Sequence, residues 1–159
     1  MKILAYALPL AVVISAPAFA QAMTSAEYVA AAGAGDMYEI QSSQAVLQTT
    51  QDPKIKSFAQ MMIQDHTKST AKLKAAAAVS KVKPSPMLTP AQTEMLAQLK
   101  AENGPARDQA YIAQQKQAHQ QALTIHQSYA EGGKAVPLKM VATNVVPVVK
   151  HHIEMLKTM

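Results

Sequence analysis

Apolar residues recur at steps of three and four along most of the chain, which is the periodicity of one helix face. Glycine and proline separate the periodic segments, and no stretch shows the alternation typical of a strand. The pattern predicts four long helices and a short one, over residues 25–50, 53–80, 106–131 and 136–157, with the short helix over 91–101. Pro147 lies inside the last helix and should kink it or divide it in two. The predicted inward face of this helix comprises Leu138, Val141, Val145, Val148, His152 and Met155.

Three of the predicted helices begin at residues that cap helices well. Thr24 precedes Glu27 by three residues, the spacing of a capping box. Asp52-Pro53 and Thr89-Pro90 each place a capping side chain directly before a proline, which favours the first helical position. These signals fix the starts of the predicted helices more firmly than their ends.

The lengths of the connections predict how the long helices are arranged. The first two long helices, and likewise the last two, are joined by short connections, which indicates two antiparallel hairpins. The connection between the hairpins is about 24 residues long and can return along the bundle, so the second and third long helices should run parallel. We therefore predict an all-α, ferritin-like four-helix bundle whose long connection carries the short helix.

The first residues predict a secretory leader that is separate from the fold. Lys2 precedes an apolar run from Ile3 to Ile14, and Ala18-Phe19-Ala20 matches a small-x-small cleavage site. The run is shorter than the roughly 20 residues of an ordinary membrane span. We predict a signal peptide over residues 1–20, one domain over 21–159, and a periplasmic or secreted location; association with the outer membrane stays open.

Composition narrows the classes of function. The chain has no cysteine, which excludes thiolate metal sites and cysteine nucleophiles. Its 15 Lys and Arg outnumber 10 acidic residues, but they are scattered, and aromatic residues make up only 4% of the chain, so we expect no nucleic-acid partner. No nucleophile elbow, phosphate loop or second apolar run of membrane length is present. The sequence therefore favours a binding protein over an enzyme. It leaves open whether the protein binds a protein partner or a metal ion, and it does not specify the oligomeric state.

Near the middle of each long helix, one ionisable residue can be placed on the predicted inward face. These residues are Glu39, His66, His119 and His152. Burying such groups costs several kcal/mol unless they are paired, hydrogen-bonded or bound to a metal. With a helical rise of about 1.5 Å per residue, the predicted hairpins place all four at similar heights near the middle of the bundle. The sequence therefore predicts a shared polar layer.

The predicted layer has two chemical interpretations. Three imidazoles and a carboxylate suit one Zn, Cu(II), Ni or Fe(II) ion, which would make the chain a mononuclear metal-binding protein. Alternatively, the layer is a hydrogen-bonded network that fixes helix register in a non-enzymatic binding or envelope stress-associated protein. Asp65 could orient a ring on another helix from outside the site, and His126, seven residues after His119, could extend the layer.

Several segments together carry a resemblance to a known family. They are Gly35–Ile40, Asp52–Ala59, Met62–Thr67, Asp108–Ile112 with His119, and Pro147 with His152. In these segments the chain resembles the exported bacterial proteins of the domain-of-unknown-function 4142 family. The resemblance implies an exported bundle of ferritin-like fold and assigns no activity.

The resemblance also implies a comparison with ferritin-like di-iron proteins, which use Glu and Glu-x-x-His ligands. The residues three positions before the inward histidines are Ile63, Lys116 and Val149, so the Glu-x-x-His pattern is missing. One buried glutamate cannot bridge two irons and balance their charge. A third interpretation, that the chain is a degenerate ferritin-like oxidase, is therefore less favoured than the metal-binding protein and the hydrogen-bonded network.

Overall fold

The computed structural model describes residues 22–159, so the predicted signal peptide lies outside the described residues. Those residues form five helices and no strand: α1 Ser25–Leu47, α2 Pro53–Val79, α3 Pro90–Ala101, α4 Gly104–Gly132 and α5 Val136–Lys157. The predicted all-helical class is confirmed, and the helix ends agree with the prediction to within about three residues.

The predicted caps form at the helix starts. The Thr24 hydroxyl accepts from the Glu27 backbone N–H at 3.2 Å, and the Glu27 carboxylate accepts from the Thr24 backbone N–H at 2.8 Å. Asp52 accepts from the backbone N–H of Lys54 at 2.7 Å, ahead of Pro53. Each cap satisfies backbone N–H groups that have no partner within the helix, which is why these sequences begin helices here.

The four long helices pack as two hairpins side by side. Tyr28, near the start of α1, stacks on Tyr129 near the end of α4, with ring centroids 4.0 Å apart. Ser43, near the end of α1, is hydrogen-bonded to Tyr111 in the first half of α4 at 2.8 Å. Helix α1 is therefore antiparallel to α4 as well as to α2, so α2 and α4 run parallel, as predicted. No helix in residues 22–159 is long and apolar enough to cross a membrane.

The connection between the hairpins carries α3, which packs against α1 and α4. The Gln114 side-chain amide of α4 donates to the Met95 carbonyl of α3 at 2.9 Å. Leu96 and Leu99 are the buried residues of α3. The connection thus covers one side of the bundle and leaves the side formed by α2 and α5 uncovered.

The apolar core falls into two clusters at opposite ends of the bundle. One cluster contains Tyr28, Val29, Ala32, Leu73, Ala76, Ala77, Tyr129, Leu138 and Ala142. The other contains Ala45, Val46, Ile55, Phe58, Ala59, Met62, Leu99, Tyr111 and Leu156. Between them lie buried polar side chains, so the middle of the bundle is a polar layer enclosed by apolar packing on both sides.

Helix α5 differs from the prediction in two respects. Leu138 and His152 are buried as predicted, but the predicted inward valines Val141, Val145 and Val148 are not. The helix buries Ala142, Val149 and Leu156 in their place. The helix has apolar residues on more than one face, so periodicity alone did not determine which face enters the core. Pro147 also does not divide α5, because it lies on the exposed side, where a missing backbone hydrogen bond is tolerated.

Candidate metal centre

Three histidines from three helices meet in the polar layer. The ring centroid of His66, on α2, lies 6.0 Å from those of both His119, on α4, and His152, on α5. The centroids of His119 and His152 are 5.4 Å apart. One ring nitrogen from each histidine lies within 4.8 Å of those of the other two, so the three can ligate one ion.

The nitrogens facing away from this meeting point are all held by hydrogen-bond acceptors. His66 Nδ1 lies 2.8 Å from Asp36 Oδ1, and His119 Nδ1 lies 2.9 Å from the Gln115 backbone oxygen. His152 Nε2 lies 3.3 Å from Asp65 Oδ2. A carbonyl or carboxylate oxygen can only accept, so in each neutral ring the outer nitrogen carries the hydrogen.

The inner nitrogens consequently carry lone pairs. His119 Nε2 and His152 Nδ1 are 3.3 Å apart, and with the tautomers above neither has a hydrogen to share with the other. His66 Nε2 is buried and has no hydrogen-bond partner among residues 22–159. Outer acceptors that fix the tautomer and aim the second nitrogen at one point are the usual surroundings of metal-binding histidines.

The spacing also suits a transition-metal ion. Two imidazole nitrogens bound tetrahedrally at about 2.0–2.1 Å from zinc are roughly 3.4 Å apart. His119 Nε2 and His152 Nδ1 are 3.3 Å apart, and the three nitrogens all lie within 4.8 Å of one another, so a shift of at most about 1.5 Å by the His66 ring would complete the geometry. The three residues therefore fit a single ion with at least one open coordination position.

Burial keeps two of the three rings in the metal-binding form. It lowers the pKa of His119 to about 3 and that of His152 to about 4, and the charge of His66 lowers both further. Burial also acts to lower the pKa of His66, but its hydrogen bond to Asp36 and the nearby acidic charges outweigh burial and raise it. His66 is thus the ring whose proton competes most strongly with a metal ion.

Glu39, predicted as a fourth ligand, lies in the layer but on the other side of His119. Its Oε1 is 3.5 Å from His119 Nδ1, the nitrogen that faces away from the meeting point. It does not belong to the group of converging atoms found among residues 22–159. Its Oε2 is buried and has no hydrogen-bond partner in the described part of the chain, residues 22–159. Burial raises the pKa of this carboxyl to about 7, against the lowering effect of charged His66.

Asp65 and His126 were predicted to surround the site. Asp65 does lie beside a ring on another helix, and its second oxygen is 3.4 Å from Lys68 Nζ. His126 does not reach the three histidines. Its Nδ1 lies 3.0 Å from the Tyr28 hydroxyl, and it borders a small cavity of about 50 Å³ that Glu39 and His66 also line.

Two contributors had no assigned role in the sequence analysis. Asp36 holds His66, and its position three residues before Glu39 was the available signal, since it shares that face of α1. Asp36 also accepts from the Thr70 hydroxyl at 3.1 Å, which fixes the carboxylate. The role of Gln115 could not be predicted from the sequence. Its backbone oxygen accepts from the His119 side chain four residues later, and any residue type at position 115 would supply that oxygen.

Known structures share this fold at low sequence identity. A crystal structure of a putative secreted protein DUF305 from Streptomyces coelicolor matches with a TM-score of 0.70 and 13% identity, covering 84% of this chain and 90% of that one. A DUF305 fragment from Deinococcus radiodurans matches with a TM-score of 0.73 and 13% identity, covering 84% and 93%. At this identity the likeness concerns the fold alone.

Sequence comparison identifies the family. No curated protein matches the chain significantly. The model of the family described as "Domain of unknown function (DUF4142)" matches residues 13–159, nearly the whole chain and the complete bundle. The chain therefore belongs to the DUF4142 family.

Proposed function

We propose that this protein is an exported, mononuclear transition-metal-binding protein whose ion is held by His66, His119 and His152. One observation carries the proposal: three buried imidazoles from separate helices aim lone pairs at one point while acceptors hold their other nitrogens. Nitrogen ligands without sulfur favour divalent ions late in the first transition row, among which Cu(II) is bound most tightly and Zn(II) is also well suited to imidazole.

A metal-free polar network is the alternative, and its hydrogen bonding is incomplete. His152 lies within bonding distance of both His119 Nε2 and Asp65 Oδ2. Serving both as a donor would require doubly protonated His152, whose pKa burial lowers to about 4. A metal ion removes this conflict and also gives His66 Nε2 a partner, so the metal-bound form satisfies more of the buried polar atoms.

Oxygen-reducing di-iron chemistry receives no support from the chemistry of these side chains. Two irons need bridging carboxylates, whereas the converging ligand atoms are three imidazole nitrogens. Glu39 faces the outer side of His119, so it is poorly placed to bridge two ions at the meeting point. We therefore favour binding over catalysis.

Titration of the metal-free protein with Zn(II) and Cu(II), against a competing chelator, tests this proposal. We expect one ion per chain. Metal affinity should fall by more than about 100-fold in each of His66→Ala, His119→Ala and His152→Ala, which exceeds the loss typical when only a hydrogen-bond partner of a metal ligand is removed. His151→Ala is the matched control, since that histidine is adjacent in sequence but exposed. Unchanged affinity in the three variants, or an equal loss in the control, would overturn the proposal. Circular dichroism identifies any variant that has lost its fold.

The exported location rests on the sequence of residues 1–20 and on the neighbour described as a putative secreted protein. The single domain over residues 21–159 follows from the same cleavage site. We expect cell fractionation to place the protein outside the cytoplasm, with Gln21 as its first residue by amino-terminal sequencing. An uncleaved chain, or one recovered in the cytoplasm, would contradict this part of the proposal.

A further inference from the structure

A groove between α2 and α5 leads to the histidines from the uncovered side of the bundle. Its volume is about 400 Å³, and it ends at His66 and His152. The valines predicted for the core line its α5 side: Val141, Val145 and Val148. The stretch from Val141 to Val149 corresponds to about 12 Å of helix, so the groove is elongated.

No element within residues 22–159 covers the apolar wall of the groove. Val148 is 41% exposed and Met140 is 61% exposed, although both are large apolar residues on a helix that packs well elsewhere. A continuous apolar strip of this kind, bordered by polar side chains, marks a binding surface more often than a solvated face. The strip continues to the candidate metal centre, which indicates a ligand that touches both.

Charge near the groove favours an anion. Asp65, Lys68 and Lys72 line the α2 side. Lys68 is paired with Asp65, so these two charges offset each other, whereas Lys72 takes part in no ion pair among residues 22–159 and leaves a net positive charge. Three neutral imidazoles also leave the charge of a divalent ion uncompensated by its ligands. Asp36 and Asp65 lie behind the rings, on their outer nitrogens, and do not fill the open coordination position.

We propose that the groove binds a small amphipathic carboxylate. Its carboxylate completes the coordination of the ion held by His66, His119 and His152, and its hydrocarbon chain lies along the α5 valines. This inference rests on the proposed function, because without the ion the carboxylate would lose its main partner. The occupant is a single small molecule whose length matches the groove.

Visible absorption of the Co(II)-loaded protein provides the test, because the spectrum changes when an anion enters the coordination sphere. We expect octanoate to change the spectrum at concentrations at least ten times lower than acetate, since only octanoate has a chain to bury along the valines. Val145→Asp should weaken octanoate binding at least ten times more than it weakens acetate binding, because the added charge repels both anions whereas the lost apolar wall affects octanoate alone. The anion-free spectrum should be unchanged. Lys72→Glu should weaken binding of both anions, whereas the control Lys74→Glu, on the same helix but outside the groove, should not.

Several outcomes would overturn the inference. Equal affinity for octanoate and acetate would mean that the apolar wall contributes nothing. Failure of octanoate to alter the spectrum, with Val145→Asp converting a dimer to a monomer in sedimentation, would assign the groove to a second copy of the chain. A protein that binds Co(II) but ignores octanoate contradicts only this inference, whereas a protein that binds no transition-metal ion contradicts the proposed function as well.

Discussion

Replacing Glu39 by glutamine should stabilise the metal-free protein at alkaline pH. The Glu39 carboxyl is buried, and one of its oxygens has no hydrogen-bond partner within residues 22–159. Burial raises its pKa from the ordinary 4.5 to about 7. A carboxyl that binds its proton more tightly when folded contributes stability fully below pH 4.5 and loses it as the pH rises through 7. Glutamine has a similar shape and never ionises, so it avoids this loss.

The size of the effect follows from the difference between the two pKa values. A pKa raised from 4.5 to about 7 corresponds to roughly 3 kcal/mol once the group is fully ionised in both states. Local relaxation reduces this figure, so we expect Glu39→Gln to gain on the order of 2 kcal/mol at pH 8. The gain should shrink steadily towards pH 5, where the folded wild-type protein carries the proton.

Urea denaturation of metal-free protein at pH 5, 6, 7 and 8 measures this difference. Chelation is necessary because a bound cation near Glu39 would favour its ionised form. Glu131→Gln is the control, since Glu131 is exposed and should change stability by less than about 0.5 kcal/mol at each pH. A Glu39→Gln protein that is equally or less stable than wild type at pH 8, or shifted by the same amount at every pH, would refute the reasoning.

Four further predictions follow from individual residues. Asp36→Asn should weaken metal binding about 10–100-fold by loosening His66, as measured by chelator competition, and an unchanged affinity would contradict that role. Metal affinity should fall as the pH drops, because the raised pKa of His66 lets a proton compete; a flat profile between pH 8 and 6 would oppose this. Gly133→Ala should destabilise the fold by about 1–3 kcal/mol, since its new Cβ would lie 2.5 Å from the Tyr129 carbonyl oxygen. Gly35→Ala should instead stabilise α1 by up to about 1 kcal/mol in thermal unfolding, because within residues 22–159 its new Cβ would meet no atom within 4 Å apart from its chain neighbours and the adjacent backbone of α1.

Local sequence signals determined much of the fold. Thr24, Asp52 and Thr89 begin helices because their side chains bond backbone N–H groups only a few residues away. The packing order of the helices followed from connection length. Both are properties of short stretches of chain, which a single sequence records directly.

The orientation of α5 depended on information that its own residues do not contain. Its apolar residues cover more than one face, so the choice among them depends on what α2 and α4 present. In the structure Ala142 joins the cluster that includes Ala76 and Ala77, and the larger Val145 and Val148 are left at the groove. Periodicity therefore found the helix but not its rotation.

The site was predictable as a layer but not as a set of aimed atoms. Helical rise and hairpin geometry placed Glu39, His66 and His119 near one height, and the structure brings them close together. Which nitrogen faces the centre depends on outer acceptors such as Asp36 and on a backbone oxygen of Gln115. These contacts also explain why Glu39 faces an outer nitrogen instead of the meeting point.

Crystals of the protein soaked with Zn(II) and measured on both sides of the zinc absorption edge give the most direct test of the metal centre. We predict one strong anomalous peak per chain, at about 2.0–2.1 Å from His66 Nε2, His119 Nε2 and His152 Nδ1. Zinc found only at surface residues such as His151, with the three buried rings unchanged and unoccupied, would contradict the central claim.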